Sequence, residues 1–102
     1  KFYEKDLLKD ISQKIPEDIN WVLRVDGHTD KTPVSQNSVF SDNWELSQAR
    51  SLSVVKYMIN THKISPKRLS AAGFGEHQPI SFSDSKDDLA KNRRIEFKLT
   101  ER

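Results

Sequence analysis

The stretch Trp21-Val22-Leu23-Arg24-Val25-Asp26-Gly27-His28-Thr29-Asp30 decides how this chain is read. From Trp21 to Asp26 it is rich in β-branched and aromatic residues, and Gly27 closes the run. That pattern predicts a strand buried on at least one face. Lys31 to Asp42 is polar, contains Pro33 and has no periodicity, so a long loop follows, of the kind that carries binding residues. Ligands of α/β units gather beyond the carboxyl ends of strands, which places Asp30 at a favourable point.

Outward from that strand the chain alternates. Ahead of it, Phe2 to Ile15 sets Leu7, Leu8, Ile11 and Ile15 on one helical stripe, and Pro16 ends it. Behind it, Asp42 followed by Glu45 resembles a capping box. Leu46, Ala49, Leu52, Val55, Met58 and Ile59 then give a second helix a broad apolar face, ending at Ile64-Ser65-Pro66. Arg68 to Phe74 reads as a second strand leaving through Gly73-Phe74-Gly75, and Asp87 to Lys91 as one helical turn. In the last strand Ile95, Phe97 and Leu99 alternate with Arg94, Glu96, Lys98 and Thr100. The order is α-β-loop-α-β-β. This predicts an α+β fold: a small mixed β-sheet with the first two strands parallel across a right-handed crossover, and two main helices packed on one face. Three strands make a thin sheet and leave room for a first strand ahead of Lys1.

Bulk properties narrow the function. The 102 residues suit one domain spanning the whole chain. A formal charge of +2 is too small for a general nucleic-acid binder, which concentrates basic residues on one face. Cysteine is absent, which removes disulfide and thiolate-zinc frameworks. No stretch approaches the ~20 apolar residues of a membrane-spanning helix. The chain opens at Lys1 inside a helical pattern, so a fragment of a longer protein is expected.

Three side-chain groups could carry chemistry. Asn43, Ser47 and Arg50 recur at helical spacing on one side of the second helix, and Arg50 offers a fork of donors matched to a carboxylate. The helix start also favours an anion. Asp30 is the complement, an acceptor for an ammonium group; its plain alternative is a turn cap, with Arg50 merely solvated. A rival reading takes Asp26, His28 and Asp30, which share one side of an extended chain, as a metal or acid–base site of a hydrolase. His62 and His77 read as isolated loop residues. The cluster Lys91-Asn92-Arg93-Arg94 is short for a nucleic-acid patch, and strand alternation sends Arg93 and Arg94 to opposite sides.

Taken in order, these motifs resemble the OmpA-like peptidoglycan-binding domain. The residues carrying the likeness are Val25-Asp26-Gly27-His28-Thr29-Asp30, Asn43-x-x-Leu46-Ser47-x-x-Arg50, Arg68-Leu69-Ser70-x-x-Gly73-Phe74-Gly75, Pro79, and Asn92-Arg93-Arg94-Ile95-Glu96. The resemblance implies a βαβαβ-type fold and non-catalytic binding of peptidoglycan. The ligand would be the diaminopimelate of the stem peptide in Gram-negative cell walls, which exposes an ammonium and a carboxylate on one carbon. By motif position Asp30 would accept the ammonium and Arg50 would clamp the carboxylate. Asn43 would hydrogen-bond the ligand, Thr29 and Leu46 would line the pocket with the Leu46 N–H offered, and Arg93 would add a second positive contact. No catalytic residue, cofactor or metal is implied.

Thr32-Pro33, Asn43-Trp44-Glu45-Leu46-Ser47 and Lys91-Asn92-Arg93-Arg94-Ile95-Glu96 are most similar to the C-terminal domains of MotB-type flagellar stator proteins. Ser51 departs from the alanine usual after the arginine. That branch implies a periplasmic location, homodimers, and attachment to the inner membrane through a segment outside this chain. Related domains on lipoproteins and outer-membrane barrels remain the alternative context.

Overall fold

The computed structural model describes residues 20–101. The helix expected over 2–15 lies outside them, as does any strand ahead of Lys1.

Strand β1 spans Trp21–His28. It is the central strand: β2 (Leu69–Gly73) pairs with it in parallel and β3 (Arg94–Glu101) pairs antiparallel, giving the order β2-β1-β3. This is the small mixed sheet that the alternation predicts. β1 runs on past Gly27 because His28 finds a partner in Arg94. β2 is shorter than expected at both ends. Arg68 closes a 3-10 turn over Pro66–Arg68, and Gly75 turns the chain away with φ +61, a left-handed conformation open to glycine.

Helix α1, Asn43–His62, makes the crossover between the parallel strands. Its start is built as the sequence suggests. The Asp42 carboxylate accepts from the Glu45 N–H at 2.9 Å, and the Glu45 carboxylate accepts from the Ser41 N–H at 3.0 Å. The helix stops earlier than Pro66 requires, at Lys63, which takes the left-handed conformation with φ 58. A short helix α2, Lys86–Asn92, extends the single turn expected there and is capped by Ser85.

Alternation along β1 sends Trp21, Leu23, Val25 and Gly27 to the α1 side. Trp21, Leu23 and Val25 form the core with Val55 and Met58 of α1, and Leu69, Ala71, Ile95 and Phe97 of the flanking strands pack around it. At the other end of α1 the buried side chains are Asn43, Ser47 and Ser51. The apolar face expected to span the whole helix is therefore confined to its second half, and Leu52 lies on the surface. The cause is the closeness of helix and sheet. A Cβ on Gly27 would lie 2.3 Å from the Ser47 carbonyl, and one on Gly73 would lie 2.6 Å from the Gln48 N. Only small helix residues fit such a contact, and their hydroxyls then need partners. Ser51 Oγ donates to the Ala72 carbonyl at 2.8 Å, and Ser47 Oγ accepts from the Gly75 N–H at 3.0 Å.

Candidate functional site

The close approach at Gly27 and Gly73 brings the C-terminal end of β1 and the first turn of α1 together, and the site is assembled there. Past Gly27 the chain stays tied to the strand beside it: Phe74 N–H donates to the Gly27 carbonyl, and Thr29 N–H to the Gly75 carbonyl at 2.9 Å. Thr29 is buried, and its hydroxyl donates to the Asp30 carbonyl at 2.9 Å. Thr29 thus fixes backbone and does not present its hydroxyl freely.

Asp30 is 7% exposed yet holds a charge. Burial pushes its pKa up, but hydrogen bonds from Arg93 and Thr32 and the charge of Arg93 outweigh that and hold it below the usual aspartate range. Its Oδ2 accepts from Arg93 at 2.5 Å and its Oδ1 from the Thr32 N–H at 2.8 Å. Each carboxylate oxygen keeps a further lone pair for an incoming donor. Arg93 leaves β3's start toward this loop, while Arg94 turns to the other sheet face and pairs with Glu96. The opposite directions expected for the two arginines are observed. Arg94 is not solvated, however: it also donates to the Asn92 and Gln78 carbonyls.

Asn43 ties the loop to the helix. Its Nδ2 lies 3.1 Å from the Thr32 carbonyl, 3.3 Å from the Asp30 carbonyl and 3.4 Å from Glu76 Oε1. Leu46 is half-buried one turn along. Its N–H already donates to the Asp42 carbonyl at 3.1 Å, the first intrahelical bond, so it is not on offer to a ligand. The donors a helix start leaves open are those of Asn43 and Trp44. Arg50 is exposed, and no described residue pairs with its guanidinium. It stands about 10 Å along the axis from Asn43, at ~1.5 Å per residue. Beside Asp30 a cleft opens between Lys31, Glu76, Pro79, Phe82 and Asn92. Asn92 shapes its wall by accepting from the Ile80 and Ser81 N–H groups.

Asp30, Arg93, Thr29 and Asn43 are thus one connected group, with Leu46 and Arg50 further along the same helix. The expectation that Asn43, Ser47 and Arg50 form one free polar stripe is corrected: Asn43 and Ser47 are buried as packing residues, and only Arg50 faces water. The rival triad of Asp26, His28 and Asp30 is not assembled either. The strand runs regularly through Gly27 and ends at His28, beyond which Asp30 points to Arg93, whereas Asp26 and His28 stay on the sheet face away from α1 beside Glu96. Asp26 is held by both nitrogens of an Arg24 fork, at 2.7 and 3.0 Å. Glu96, which joins this second cluster, carries no signal in the sequence beyond strand alternation opposite Asp26. His77 is not isolated, since it stacks on Trp44 with ring centroids 4.8 Å apart, and His62 closes α1 edge-on to Tyr57.

Comparison with known proteins agrees with this architecture. The OmpA family model matches residues 3–93. Motility protein B of Bacillus subtilis is 33% identical over 96 residues, covering 94% of this chain and 36% of its own length. The chain therefore spans about a third of that relative. The C-terminal domain of Helicobacter pylori MotB superposes with a TM-score of 0.84 at 31% identity, covering 97% of this chain and 71% of that one. The cell wall anchor of the T6SS from Pseudomonas aeruginosa superposes with a TM-score of 0.69 at 27% identity, covering 95% and 65%.

Proposed function

The chain belongs to the OmpA family, and from that premise we infer that it is a non-catalytic module that binds peptidoglycan through the diaminopimelate of the stem peptide. One observation carries the reading. Asp30 is a buried carboxylate held ionised by its neighbours, while Arg50, on the helix that opens beside it, is exposed with no described partner. A fixed anion and an open guanidinium suit a ligand bearing both charges on one carbon. Asp30 accepts the ammonium through its remaining lone pairs, and Arg50 takes the carboxylate bidentately. Arg93 holds Asp30 in place and keeps further donors for the ligand. Asn43 and Thr29 set the loop geometry, and Leu46 covers the apolar stem.

In a whole protein this module anchors a membrane subunit of the MotB stator kind to the cell wall, in the periplasm, as a homodimer held to the inner membrane by a segment outside this chain. The MotB relatives and the cell wall anchor named above support the wall-anchoring part of that context. A wall-binding role asks for no cofactor and no reaction, and the hydrolase reading built on Asp26, His28 and Asp30 loses Asp30 to Arg93.

The test is co-sedimentation with purified peptidoglycan. The chain pellets with diaminopimelate-type wall and not with lysine-type wall, whose side chain lacks the carboxylate that Arg50 needs. Arg50→Ala and Asp30→Asn each weaken binding about tenfold or more, since a charge-assisted contact is worth ~1.5–3 kcal/mol. Equal binding to both walls, or full binding by both variants, overturns the assignment.

A further inference from the structure

We propose that Asp26, His28 and Glu96 form a site for one divalent cation of the zinc class, on the sheet face turned away from α1 and apart from the wall-binding residues. The three residues each bring a ligand atom within 4.8 Å of the other two. Tetrahedral metal–ligand bonds of about 2.0–2.2 Å place donors about 3.3–3.6 Å apart, so side-chain rotations that draw the atoms in by about 1 Å close the set. One imidazole nitrogen with two carboxylates is a donor set that zinc-class ions accept.

Two further observations point to a ligand there. His28 is 4% exposed, and neither of its ring nitrogens has a hydrogen-bond partner among the described residues. Buried polar groups are almost always satisfied, so a buried imidazole beside two carboxylates with both nitrogens unpartnered points to a ligand. Moreover, Asp26 and Glu96 are register partners on adjacent strands. Carboxylates directly opposite one another repel, and a cation between them removes that cost. Phe74 stacks on the His28 ring at 5.2 Å and 9°, which holds the imidazole plane in place. Nε2 then faces Glu96 Oε1 at 3.8 Å.

The charged groups around the site define its competitor. Arg24 grips Asp26, Arg94 pairs with the other oxygen of Glu96, and Lys98 approaches Glu96 Oε1 at 3.8 Å. Arg24 is the group that must yield, and its side chain is 39% exposed, so it can swing to water as the cation takes Asp26. A bound ion would then fasten β1 to β3 at the level of Glu96.

Calorimetric titration of the chain with zinc, followed by cobalt absorption spectra for a mixed nitrogen and oxygen shell, tests this. The expected result is one equivalent per chain, weakened tenfold or more in both His28→Gln and Glu96→Gln. Arg24→Gln tightens binding about tenfold, because the competing guanidinium is gone. Wall co-sedimentation by His28→Gln is unchanged, which separates this site from the function proposed above. Absence of binding by the wild-type chain overturns the proposal, even where Arg24→Gln binds, since Arg24 then wins in the natural protein. Retained binding in folded His28→Gln also overturns it.

Discussion

The two halves of α1 rest on the same sheet by different means. From Val55 onward the helix buries Val55 and Met58 against Trp21, Leu23 and Val25, an ordinary apolar core. Before that it buries Ser47 and Ser51 against Gly27 and Gly73, where backbones nearly touch, and Asn43 against the loop that follows β1. The first half gives up hydrophobic burial for proximity. That proximity brings the Asn43 amide within reach of the Asp30 and Thr32 carbonyls and so fixes the loop that carries the carboxylate. Stability and site construction are thus divided along one helix.

The largest effect belongs to the apolar half. Met58→Ala removes a side chain that is 1% exposed and costs about 2–5 kcal/mol in denaturant unfolding, with wall binding intact in the molecules that remain folded. Comparable loss of binding in the folded fraction would show that the halves are not separate. Gly27→Ala comes next, at about 1–3 kcal/mol. Its Cβ meets a helix carbonyl, which cannot rotate away, so the helix start shifts and wall binding falls along with stability. A variant with normal binding would break the link between close approach and site.

Ser51→Ala sharpens the same point at smaller cost. It deletes one hydrogen bond to the Ala72 carbonyl without changing the packing distance, and about 1 kcal/mol is expected. The packing distance is unchanged, so binding should persist.

The smallest effect is that of pH. The Asp30 pKa is depressed in the folded state, so the unfolded chain takes up the proton first as acid is added. The stabilisation from the Asp30–Arg93 pair is present in full above the ordinary aspartate value of about 3.9 and is lost as pH falls through the lower folded value. The stability difference between wild type and Asp30→Asn should therefore be constant above about pH 3.9 and shrink as pH falls below it through the folded value. Parallel curves at all pH values would remove the pair from the site.

His28 shows how a correct pattern can lack its partner. Burial, with the charge of Arg94, lowers its pKa against the opposing pull of Glu96 and Asp26. The alternation of β1 sets Asp26 and His28 on one side, but Glu96 comes from a strand almost seventy residues later in the chain. No spacing rule reaches that far. The Asp30–Arg93 pair is similar, since alternation says only that Arg93 and Arg94 diverge.

By itself the sequence determined what local physics controls: the β1 run, the Asp42–Glu45 start of α1, the alternation of β3, and with them a mixed α+β sheet. The ordered motifs marked the family and named Asp30, Asn43, Arg50 and Arg93. Only the tertiary structure decided that Asn43 and Ser47 are buried, that the Leu46 N–H is spent within the helix, and that Asp30 turns from His28 to Arg93. Hydrophobic periodicity assumes that a helix face is buried by apolar contact. Here Gly27 and Gly73 let the helix come so close that small polar residues take that face, and distance between backbones is not written in any single stretch of chain.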